Sequence, residues 1–139
     1  NTINLATATS SKGTALAASD VYQCLNIPAE SVILHAGMEV TTALTGTSTD
    51  TAFDLGITGG DVDNFVDGFD VDGASAGAYA PTAAAYAPVI VGAADTLDIL
   101  VQAQTGTTLT GKIRVFATLM DISDAGDMAA NEVDRDTLA

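Results

Sequence analysis

The chain has 139 residues, 47% of them hydrophobic but only 5% aromatic and none of them Trp, with a formal net charge of −14. That length predicts one domain, with a core built from small and β-branched side chains. Acidity on this scale repels phosphate backbones and anionic headgroups, so neither nucleic acid nor a membrane surface is an expected partner.

Residues 1–13, NTINLATATSSKG, are polar with isolated apolar positions and read as an extended arm or an edge strand. No basic-plus-apolar leader opens them, so no signal peptide is expected. Residues 14–19, TALAAS, fit a short helix or a strand. Residues 20–27, DVYQCLNI, read as a strand, and its Cys24 is the lone cysteine of the sequence. No intramolecular disulfide is then possible, and Cys24 is expected as a small buried apolar residue. Pro28-Ala29-Glu30 turns the chain, because Pro fixes φ and donates no ladder hydrogen bond.

The stretch 31–57 is the one around which the rest is organised. From 32 to 44 the even positions are Val32, Leu34, Ala36, Met38, Val40, Thr42 and Leu44, and the odd ones are Ile33, His35, Gly37, Glu39, Thr41 and Ala43. One face is apolar and the other mixed, the period-two signature of a half-buried strand. A polar connection, TGTSTD at 45–50, leads to a second run with Phe53, Leu55 and Ile57 on one side and Asp54 and Gly56 on the other. Two alternating runs across a short polar loop predict a β-hairpin.

Residues 59–87 form a long irregular section rich in Gly, Ala and Asp. One helical turn is expected over 61–67, with Val62, Phe65 and Val66 inward, and a short strand near 69–71. Residues 88–91 read as another short strand. The runs 97–104 and 111–121 alternate again, with Leu97, Ile99, Val101 and Ala103, then Ile113, Val115, Ala117 and Leu119, on their apolar faces. Joined by the polar TGTTLT segment, they predict a second hairpin. In the tail, 122–139, Asp124, Asp127, Glu132, Asp134 and Asp136 face one cation, Arg135, which predicts a solvated end or a short docked helix.

About seven or eight short strands separated by turn signals predict an all-β antiparallel sandwich or barrel. The expected layout is a single domain, with an arm at 1–13, a sandwich at 14–121 and an acidic tail at 122–139. No catalytic residue, cofactor or metal is expected, and the chain does not read as an enzyme. The acidic loop DVDNFVDGFDVDG at 61–73 misses EF-hand spacing, since Phe65 and Val66 occupy the fifth and sixth positions from Asp61. Its Asp residues read as turn caps. His35 is the one histidine, so no His-based triad or metal site has a second member, and no phosphate-binding Gly pattern occurs. One feature points to a partner. Ile33, Leu100, Phe116 and Met120 fall on the predicted outward faces, where a monomer usually carries polar residues. Clustered, they mark a subunit contact.

Several segments resemble a group of tailed-bacteriophage virion proteins, notably of cyanophages and other marine phages. They are Ile27-Pro28-Ala29, Gly37-Met38-Glu39-Val40 and Phe53-Asp54-Leu55-Gly56-Ile57-Thr58-Gly59-Gly60-Asp61. Ala94-Asp95-Thr96-Leu97-Asp98-Ile99 and Lys112-Ile113-Arg114-Val115-Phe116-Ala117 fit the same pattern. The resemblance spans residues 20–121. It implies a jelly-roll-like head decoration (cement) protein, made in the host cytoplasm and carried on the outer surface of the phage head. It further implies a homotrimer that clamps the major capsid protein lattice. Two other classes share the expected sandwich. One is a tail, knob or fibre-associated virion protein. The other is a carbohydrate-binding module, for which Tyr22, Tyr79 and Tyr86 are the only Tyr platforms.

Overall fold

A computed structural model describes residues 1–57, 59–82 and 87–123, without the side chains of Thr9 and Leu109. The acidic tail from residue 124 onward lies outside the described residues. Among the described residues nine strands and one helix follow in order: β1 (Thr2–Asn4), α1 (Leu5–Lys12), β2 (Val21–Ile27), β3 (Ser31–Gly46), β4 (Asp50–Ile57), β5 (Val66–Asp70), β6 (Tyr79–Pro81), β7 (Val89–Val91), β8 (Asp95–Thr105) and β9 (Thr108–Asp121). They form two antiparallel sheets. Sheet A runs β1-β9-β3-β6, with β7 also on β3, and sheet B runs β2-β8-β4-β5. The chain is an all-β sandwich, as its period-two runs predict. The pairs nest, β1 with β9, β2 with β8, β3 with β6 and β7, and β4 with β5. A long ribbon folded over on itself gives that order, with β6 and β7 both pairing with β3.

Both expected hairpins are absent. β3 and β4 lie in different sheets, and so do β8 and β9. Instead β3 pairs with β9 from Ser31↔Asp121 to Gly46↔Thr108, and β4 pairs with β8 from Asp50↔Thr105 onward. The two polar connectors therefore run side by side and carry one two-stranded ribbon over from sheet A to sheet B. Thr47 N–H donates to Thr107 O at 2.9 Å and Thr49 N–H to Thr105 O at 3.1 Å, so the ladder continues round the bend. Glycine is required there. A Cβ on Gly46 would sit 2.0 Å from Thr107 O, and one on Gly106, at φ 81°, would sit 2.4 Å from Thr47 O. Alternation fixes which side of a strand is apolar but not which strand it pairs with, and a short loop fits a sandwich corner as well as a hairpin.

The core lies between the sheets. Sheet A contributes Ile33, Met38, Val40, Ile113 and Val115, and sheet B contributes Phe53, Leu55, Leu97, Ile99 and Val101. The expected arm belongs to this fold. Thr2–Asn4 pairs with β9, and Leu5 on α1 is buried in the core. Residues 14–19 are neither helix nor strand, and Leu16 from that stretch is buried. Lys12 closes the α1 end by pairing with Asp20. Burial opposes the Asp20 charge, but the Lys12 hydrogen bond, the Ala17 N–H and the Lys12 charge outweigh it and hold the carboxyl below its ordinary range.

Phe65 and Val66 are buried as expected where β5 begins, but Val62 is half-buried, and turns at 61–65 lead into β5 in place of the expected helical turn over 61–67. Residues 59–65 fold back over the outer side of sheet B. Ile57 N–H donates to Asp61 O and Phe65 N–H to Leu55 O, both at 2.9 Å. Asp54, on the side of β4 opposite Phe53 and Leu55, is 3% exposed. Its carboxylate accepts the Gly68 N–H at 2.7 Å.

Candidate interaction surface

The four residues read as an outward cluster separate in three dimensions. Ile33 is 0% exposed and part of the core. A register shift between Ile33 and His35 inserts one extra residue in β3, so the phase of the alternation changes there. Ile33 turns inward as a result, and Leu34, expected in the core, is 41% exposed. Leu100 lies on sheet B, in a small crevice with Val21, Gly56, Val62 and Asp98, and is partly covered by the returning loop. It does not adjoin Phe116, because β8 and β9 are in different sheets.

Phe116 and Met120 do share one surface, 36% and 47% exposed. On β9 the exposed residues Lys112, Arg114, Phe116, Thr118 and Met120 alternate with buried or half-buried Ile113, Val115 and Ala117, while Leu119, expected on the inner side, is 39% exposed near the strand end. That row lies on the outer face of sheet A. Phe116 crosses Gly37 of β3, where an added Cβ would meet the ring at 2.8 Å, and it stacks on His35 with centroids 5.9 Å apart and planes at 21°. The lone histidine is thus a surface ring stacked on an aromatic. Arg114 donates through Nε and Nη2 to Glu39 Oε2. At the other end of the row Val32 sits between Met120 and Ile90, and Ile90 is exposed. Tyr79 on β6 is exposed beside Glu39.

The outer side of sheet B is chemically different. Every charged residue on β2, β4, β5 and β8 is an acid: Asp50, Asp54, Asp67, Asp70, Asp95 and Asp98. On the strands of sheet A two acids, Glu39 and Asp121, balance two cations, Lys112 and Arg114. Asp61, Asp63 and Asp72 flank β5 and extend the acidic side. A hydrogen bond with Asp61, then burial, then the Asp61 charge hold Asp63 above the ordinary carboxylate range. Among the described residues no group of three or more His, Cys, Asp or Glu side chains is placed to hold a metal ion. Cys24 is buried, and burial pushes its thiol up to about 11, which keeps it protonated and unreactive at neutral pH.

At the ribbon corner the hydroxyls serve structure. Buried Thr51 and Thr108 both donate to Gln104 Oε1, at 3.1 and 3.3 Å, and Gln104 Nε2 donates to Gly106 O. The sequence signal for the interaction surface was the β9 row alone. Its neighbours Leu34, Tyr79 and Ile90 were missed, since they follow from a bulge and from two short strands.

No protein-family model matches this chain, and no curated protein matches it. Two solved structures are similar in fold. A chain in the capsid of Ralstonia phage GP4 superposes with a TM-score of 0.57 at 19% identity, covering 87% of this chain and 83% of that one. A chain in the acidic stable capsid structure of Helicobacter pylori bacteriophage KHP30 superposes with a TM-score of 0.49 at 18% identity, covering 74% and 84%.

Proposed function

We propose that this chain is a structural protein of a phage virion, a decoration (cement) protein that binds the outer surface of the head as a homotrimer and stabilises the major capsid protein lattice. The observation that carries this reading is the group of exposed apolar side chains Phe116, Met120, Ile90 and Tyr79 on the outer face of sheet A, in a chain whose other sheet carries acids as its only charged residues. An exposed group of large apolar residues on a rigid sheet suits a protein contact. The described polar side chains hold turns, the corner and two ion pairs, an arrangement suited to a scaffold. Two likenesses support the same assignment: the fold shared with a chain of the GP4 capsid, and the segments similar to marine phage virion proteins.

The test is addition of the purified chain to heads assembled without it, with bound copies counted after sedimentation. Saturable binding at many copies per head, with heads that resist heating better, is the expected result. A few copies per particle, or binding to tails, assigns the chain to the tail or a fibre instead. No particle binding together with retention on a glycan array assigns it to carbohydrate recognition.

A further inference from the structure

We propose that copies of this chain dock head to tail, with the β5 edge of one copy seated on the outer face of sheet A of the next. The inference rests on the self-association in the reading above and names the two surfaces that make it. One surface is the β9 row. Arg114 and Lys112 stand there beside Phe116, and Lys112 makes no ion pair among the described residues. Lys12, the other cation described, is held by Asp20. Arg114 is itself paired with Glu39, so Lys112 is the side-chain cation without an ion pair among the described residues, and it stands on the β9 row with Arg114 and exposed Phe116.

The complementary surface is the edge of sheet B. β5 is the last strand of that sheet, and its exposed Asp67 and Asp70 are followed by half-exposed Asp72. Asp67 accepts one hydrogen bond from Gln102 and Asp70 one from the Asp72 N–H, which leaves carboxylate oxygens for a second donor. In a chain of net charge −14, two copies repel one another unless acids on one meet cations on the other. The β9 row is the described surface that offers those cations.

Geometry favours a closed assembly. The face of a sandwich and its lateral edge point in roughly perpendicular directions. A contact between them turns each successive copy, and such turns close a ring of a few members when they carry no net rise along the axis. A contact between the two opposite faces would stack copies into an open filament instead.

Light scattering on the purified chain tests this without any capsid. The wild type is expected as a small ring, three copies under the reading above, that weakens as sodium chloride rises from about 50 mM to about 0.5 M. Lys112→Glu on one surface, or Asp67→Lys with Asp70→Lys on the other, should each weaken association by about tenfold or more. Combining all three substitutions should restore it, because the signs are exchanged. Far-ultraviolet spectra check folding, and Lys112→Ala and Asp70→Asn serve as milder replacements with losses in the same direction. A monomeric wild type, a two-copy assembly indifferent to these changes, or a combined variant that stays dissociated would overturn the proposal. Head binding is scored separately. A monomer that still coats heads refutes the docking and leaves the virion reading standing. A charge-swappable ring that ignores heads does the reverse.

Discussion

Sheet B wears its acids outward and is partly roofed by its own loop, while sheet A is charge-balanced and leaves Phe116, Met120, Ile90 and Tyr79 bare. Inside, the two sheets are alike, each giving a row of aliphatic side chains to one core. Folding requires the inner rows to match and places no such demand on the outer ones. The difference between the outer faces is therefore set by something other than the demands of the core. Acidic, partly covered sheet B suits solvent, and uncovered, neutral sheet A suits a partner.

The largest expected effect tests the part the sheets share. Phe53→Ala removes a fully buried ring and leaves a cavity between them, at a cost of about 3–5 kcal/mol. Melting should fall by roughly 10–20 °C for a domain near this size. A fall of only a degree or two would mean that the sheets do not share one core.

Next comes a pair of glycines, one on each outer face. A Cβ on Gly56 of sheet B would meet Asp61 O at 2.2 Å and Val62 C at 2.3 Å, all backbone of the returning loop. Gly56→Ala should cost about 1–3 kcal/mol by lifting that loop. A Cβ on Gly37 of sheet A would meet Ala80 O at 2.7 Å and the end of the Phe116 ring at 2.8 Å. The ring is at the surface and can swing aside, and β6 is a three-residue edge strand, so Gly37→Ala should cost less, about 1 kcal/mol. Thermal melts of both variants settle the order. Equal costs would mean that sheet B is no better roofed than sheet A.

A smaller effect probes the buried acid, Asp54. Burial outweighs the Gly68 hydrogen bond and holds the Asp54 carboxyl above its ordinary range. A carboxyl whose folded-state pKa is raised contributes most below its unfolded value, about 4, and that contribution is lost as pH rises through the folded value. Asp54→Asn keeps an acceptor for Gly68 and removes the charge, so it should be more stable than wild type at pH 7, with the difference closing toward pH 4. Asp54→Ala leaves the Gly68 N–H without its acceptor and should cost about 1–2 kcal/mol. If Asp54→Asn destabilises at pH 7, the charge is paired.

These tests also mark what was legible in the sequence. Alternation at 32–44, 53–57, 97–103 and 113–119 located β3, β4, β8 and β9 and most of their inward residues, because pleat periodicity is a local property. Pairing is not local. The TGTST and TGTT connectors have the composition of hairpin turns, yet glycines at positions 46 and 106 let them bend a ribbon over the sandwich edge. One extra residue near Leu34 reversed the sides of Ile33 and Leu34, and no composition signal marks such a bulge. Of the candidate surface, Phe116 and Met120 were legible because β9 keeps its phase past them. Leu100 does lie on an outer side, but on sheet B and away from Phe116, because β8 and β9 belong to different sheets and pairing is not a local property.

The central claim is that the outer face of sheet A is the working face, and paired surface variants test it most directly. Phe116→Asp with Met120→Asp places charge on the sheet A row, and Val21→Asp places it on sheet B, where Val21 is similarly exposed. All three sites are solvent-accessible, so each variant should fold with wild-type melting to within about 0.5 kcal/mol. Light scattering is the measurement. The account predicts that Val21→Asp assembles like wild type and that Phe116→Asp/Met120→Asp stays monomeric. Full assembly by the sheet A variant, or its loss only in Val21→Asp, would contradict it.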